Sequence, residues 1–131
     1  MMELGRGAIS KMRIALDAPA QYSLRLGDEQ HELNHLIGQT LRLEFLGAIH
    51  CSHCQRPTKK SFAQGYCWPC FSKLPQCDTC MMSPEKCHYD AGTCRDSEWA
   101  QDFCMTDHFV YLANSTGVKV GITRGTQLPT R

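Results

Sequence analysis

No stretch of this sequence approaches the roughly 20 consecutive apolar residues of a membrane-spanning helix, which excludes a span of that kind. The first twenty residues, MMELGRGAISKMRIALDAPA, hold no apolar run of export-signal length, so the sequence predicts a cytoplasmic chain with reduced thiols. Aromatic residues make up only 8% of 131 residues, enough for one ordinary domain or two very small ones but not for a large buried core. Acidic residues are missing altogether from 45 to 77, where four bases stand alone, whereas 78–107 carries seven acids and two bases. The net charge of +1 therefore conceals blocks of opposite sign.

What the sequence does have is cysteine, nine in all. Cys51, Cys54, Cys67 and Cys70 read C-x2-C, twelve residues, C-x2-C, which sets two thiol pairs on two tight turns facing one ion. Zinc has no geometric preference of its own, so four soft ligands at tetrahedral corners satisfy it, and four protein ligands leave no open position for a substrate. Disulfides would need an oxidising compartment that nothing in the sequence implies. Thr58–Phe62 and Gln64–Trp68 are expected as the arms of a zinc ribbon, with Gly65 at the bend. Ligation would replace much of the missing apolar burial, because its free energy becomes folding free energy.

Beyond the ribbon stand Cys77, Cys80, Cys87, Cys94 and Cys104, with His88 and His108. Their number predicts a second four-coordinate site anchored by Cys77 and Cys80 and completed from among Cys87, Cys94, Cys104 and His108; the spacing leaves open which two. His88 is the weaker donor because its neighbour Cys87 is already available. Two zinc ions are the expectation, with an iron–sulfur cluster as the alternative for four thiolates. Pro69, Pro75 and Pro84 read as helix breakers in a region of loops pinned by metal, with a short helix at Ser97–Phe103.

The first third reads as β structure, with strands at Met12–Leu16, Tyr22–Leu26 and Leu41–Ile49 and one helix of about three turns between Gly27 and Gly38. His31, Glu32 and His35 spell H-E-x-x-H there, a zinc-protease signature. On a helix they lie opposite the stripe of Leu33, Leu36 and Ile37, so the pattern reads as a solvated face.

Arg56, Lys59, Lys60 and Lys73 interleave with Tyr66, Trp68 and Phe71, a combination that can hold phosphates and stack bases of DNA or RNA. A four-thiolate zinc carries a net charge of −2, which lowers this block to about +2. The acidic block 78–107 offers the alternative of a protein-interaction adaptor.

The stretches CHYDAGTCRD and VYLANSTGVKVGITR, within a run from KMRIALD to the last residue, resemble an uncharacterised bacterial family, domain of unknown function family number 2797. The resemblance implies that this chain corresponds to an amino-terminal portion of roughly double-length proteins. Phe109–Leu112 and Lys119–Ile122, joined by Asn114–Gly117, form a hairpin signal and look like the first hairpin of the GIY-YIG nuclease fold. Tyr111 then matches that family's first tyrosine, Lys119 stands in place of the second, Arg131 is the candidate arginine, and the metal-holding glutamate falls beyond the last residue. The cysteine pattern and the basic block together lead to the expectation of a zinc-stapled nucleic-acid-binding module; the resemblance implies the alternative, the N-terminal part of a longer GIY-YIG-like nuclease to which Tyr111 and Arg131 would contribute. The expected fold class is α+β: a small β-rich region over 1–49 with one short helix, a cysteine-rich, zinc-ribbon-like metal-binding region over 50–108, and a terminal hairpin over 109–131.

Overall fold

The computed structural model describes residues 2–128. The fold is α+β, with two small antiparallel sheets and short helices, and it divides between Ile49 and His50 into two compact units.

In the first unit β1 (Ile9–Ala15), β2 (Gln21–Leu26) and β3 (Glu29–Glu32) form a meander in the order β1-β2-β3. The expected helix between Gly27 and Gly38 does not form. Gly27 takes a left-handed φ of 58° and with Asp28 makes a two-residue loop, so that Leu26 pairs with Glu29 and the chain returns as β3. Asn34 then ends the strand: its side-chain oxygen accepts from the Tyr22 amide at 2.8 Å and its amide donates to the Ala20 carbonyl at 2.9 Å. Only a 3-10 turn, Asn34–Leu36, remains of the helix. Leu41–Ile49 is not a strand either; it is irregular chain in which Leu43 and Phe45 are exposed.

The second unit is built from turns. Cys67 is the N-cap of α1 (Trp68–Lys73), and Pro69 sits in the first turn, where its missing N–H costs nothing. Pro75 and Pro84 likewise open the 3-10 turns Pro75–Cys77 and Pro84–Lys86. Three prolines read as breakers are therefore starters. The expected helix at Ser97–Phe103 is present as α2, capped by the Asp96 carboxylate, which accepts from the Trp99 amide at 3.0 Å.

The C-terminal hairpin joins β4 (His108–Asn114) to β5 (Val118–Arg124) in continuous register from His108–Arg124 to Asn114–Val118. On one face the ring of Tyr111 lies directly against Gly121, where any side chain would collide with it. The other face presents Val110, Leu112, Val118, Val120 and Ile122, all exposed. Arg124 reaches back over the Phe103 ring at 3.7 Å and ties the hairpin to α2. Among the described residues the buried hydrophobic positions are Cys51, Cys67, Cys77 and Ala100, so sulfur makes up most of the core.

Candidate metal centre

The ribbon site grows from two turns. After the His50–Pro57 bridge, the Cys51 amide donates to Arg56 O, the Gln55 amide donates to Cys51 O, and Gln55 takes a left-handed φ of 66°. That knuckle turns Cys51 and Cys54 to the same side. The second pair is held by α1, with Cys67 capping it and Cys70 one turn further on. The two turns are joined by the Ser52 amide donating to Gly65 O at 2.6 Å. Gly65 is required twice over: its φ is 133°, and a Cβ there would stand 3.0 Å from Ser52 Oγ.

The expected ribbon arms shrink to the Phe62–Tyr66 bridge, because Ala63, Gln64 and Gly65 all have positive φ and the chain reverses within three residues. The thiols nevertheless meet. All four Sγ atoms lie within 4.8 Å of one another, and Cys54 and Cys67 are 3.6 Å apart. A tetrahedral ion with bonds of about 2.3 Å needs edges of about 3.8 Å.

The electrostatics fit a cation. Burial alone would raise the Cys51 thiol, yet backbone amides of Cys54, Cys67 and His53 aim at its sulfur and bring it down to about 5. Cys70 goes the other way, to about 12, through burial and then through its hydrogen bonds with Cys67, Cys51 and Cys54 and the negative charge on Cys51. One thiolate is accommodated by amides; further thiolates beside it need positive charge among them.

The later cysteines separate into two environments. Cys77 is buried, with its pKa raised by burial and by the charge of Cys51 while Arg95 opposes the shift. Cys80, Cys87, Cys94 and Cys104 line one cavity of about 20 Å³. Burial raises both Cys80 and Cys104; the charges of Asp78, Cys87 and Cys104 add to the first shift, and those of Cys87 and Cys94 to the second.

Asp78, Cys80 and His88 also have donor atoms within 4.8 Å of one another and could hold an ion. His88, set aside on sequence grounds, bonds through Nε2 to Asp78 Oδ2 at 2.9 Å and through Nδ1 to Thr93 Oγ1 at 2.8 Å. Arg95 Nε is 3.3 Å from the same Asp78 oxygen, and its Nη1 donates to Phe71 O and Leu74 O. His88 and Arg95 hold the Asp78 carboxyl below its usual value against the opposing effect of burial. Nothing in the spacing of Asp78, Thr93 and Arg95 announces this network; only the fold brings them together. His108 opens β4, exposed, with Nδ1 against Thr106 O at 2.7 Å.

His31 and Glu32 lie on β3 and His35 in the following turn, so H-E-x-x-H presents no helical ligand face; His31 Nε2 pairs with Glu29 at 2.9 Å. Arg56, Lys59, Lys60 and Lys73 are all exposed. Lys60 Nζ lies 5.2 Å from the Phe62 ring centre, in a cluster where Phe62, Trp68 and Phe71 have centroids 5.3–5.7 Å apart. Tyr66 is half-buried. Of the nuclease candidates, Tyr111 is half-buried on the hairpin and Arg131 lies outside the described residues.

Residues 38–131 match the family described as "Protein of unknown function (DUF2797)". No curated protein and no solved structure matches the chain. No helix among the described residues is long and apolar enough to cross a membrane.

Proposed function

The chain belongs to DUF2797, a family of unknown function, so its role has to be read from its own residues, and we propose that it is a zinc-stapled module that binds single-stranded nucleic acid. In this reading one zinc ion sits among Cys51, Cys54, Cys67 and Cys70 and is structural, because four thiolates close its coordination. It holds the two turns that carry the binding surface, in a cytoplasmic protein whose thiols stay reduced.

The observation that supports binding is Trp68. It belongs to a packed aromatic cluster, yet 58% of it is exposed, beside Lys60 in a stretch without a single acid. An indole fixed by its neighbours and open to solvent is a stacking platform, and the four exposed bases of the same stretch would supply phosphate contacts.

Binding of a fluorescent oligonucleotide, titrated across salt concentrations, tests this. Four phosphate contacts on a single strand give a slope of log K against log salt of about −3. Lys59→Ala with Lys60→Ala flattens that slope by about 1.4. Trp68→Ala weakens binding roughly tenfold or more while zinc content is unchanged. Affinity that ignores both salt and Trp68 sinks the proposal.

A further inference from the structure

The geometry points to a second tetrathiolate metal centre formed by Cys80, Cys87, Cys94 and Cys104, in which Cys77 takes no part. It shares no ligand with the ribbon and stands whether or not the chain binds nucleic acid.

Each of the four cysteines is placed by the end of a short element. Cys80 lies within the 3-10 turn Thr79–Met81, and Cys87 is the C-cap of the turn Pro84–Lys86, which packs against it. Cys94 follows the reversal in which the Gly92 amide donates to Tyr89 O and Gly92 takes a φ of 75°. Cys104 is the C-cap of α2. Elements separated by up to 24 positions in sequence thus bring four cysteines to the wall of one cavity. Their sulfurs are more widely spaced than the ribbon set, which lies within 4.8 Å, so ligation would draw them inward.

That cavity, about 20 Å³, exceeds the roughly 10–15 Å³ that a water-sized occupant needs. Water is a poor guest there, since it needs two to four good polar partners, and although Asp78, His88 and Arg95 border the cavity its exposed wall is almost wholly carbon and sulfur. A soft, thiophilic cation matches the donors. Ligation replaces four S–H bonds by four metal–sulfur bonds and releases the protons to solvent.

The competing group, Asp78 with Cys80 and His88, is occupied by its own bonds. Both ring nitrogens of His88 are engaged, and the carboxylate of Asp78 faces His88 and Arg95. These residues hold the loop in place around the thiols. Cys77 belongs to the preceding turn, Pro75–Cys77, and an extended Asp78 separates it from the turn that carries Cys80. Cys77 does not line the cavity.

The test is a metal count on the full chain, by native mass spectrometry and elemental analysis with an assay for acid-labile sulfide. The expected result is two metal sites per chain. Cys94→Ser and Cys104→Ser each lose the second and keep the first, Cys54→Ser does the reverse, and Cys77→Ser and His88→Gln keep both. Zinc at the second site, or iron with sulfide lost in the same two variants, supports the assignment and names the occupant. An unchanged count in Cys94→Ser and Cys104→Ser, or loss of the second site in Cys77→Ser or His88→Gln, overturns it. Because a misfolded variant loses metal for the wrong reason, the unaltered chain supplies a second measure. Titrated with cobalt, its sulfur-to-metal absorption rises until eight thiolates per chain are engaged; saturation at four overturns the proposal.

Discussion

At the scale of single residues, the thiols of the ribbon set how metal affinity answers to pH. Cys70, raised to about 12, holds its proton across the ordinary range until a cation displaces it, whereas Cys51, at about 5, is already ionised at neutral pH. Loading therefore releases at least one proton, and zinc affinity rises about tenfold or more per pH unit between 6 and 8. Below about 5 Cys51 also takes up a proton, and the dependence steepens. Competition titrations with a chromophoric chelator at several pH values measure this; a flat profile refutes it. The residues of the first set were legible, since C-x2-C spacing carries its own geometry. Cys77 and Cys80 have the same spacing but belong to separate turns, because Asp78 is extended between them. Spacing counts residues and is blind to such a break.

Among the elements, α2 and the β4–β5 hairpin follow from local signals: Asp96 ahead of the helix, and Asn114–Gly117 between two β-rich runs. Asp96→Ala removes the acceptor for the Trp99 amide and lowers unfolding free energy by about 1 kcal/mol, measurable by chemical denaturation, with the Trp99–Phe103 stack as the fluorescent reporter. No loss of stability in that variant would mean the cap contributes nothing. The apolar spacing of 27–38 fits a helix, but Gly27-Asp28 is also a two-residue hairpin loop, and strand pairing with β2 decides between them. Position decides the effect of the prolines as well. Pro breaks a helix only from its interior, and Pro69, Pro75 and Pro84 all stand at a first turn.

Over the whole molecule, the scarcity of buried apolar side chains makes the second unit depend on its sulfurs. With Cys51, Cys67 and Cys77 as three of the four buried hydrophobic residues among those described, only the partly exposed cluster of Phe62, Trp68 and Phe71 and the Trp99–Phe103 stack remain to hold residues 50–128 once metal is withdrawn. Chelation should therefore abolish amide-exchange protection in that range, while the hydrogen bonds among β1, β2 and β3 keep theirs. Persistent protection around α1 and α2 after complete demetallation would contradict it. The hairpin adds a different consequence. Its five outward aliphatic side chains form an oily strip that water must wet, and strongly hydrated salts such as sulfate make such wetting costlier. In crowded or salted-out solutions Val110, Leu112, Val118, Val120 and Ile122 favour burial against another surface, so in the second unit the same chain that folds on sulfur associates through carbon.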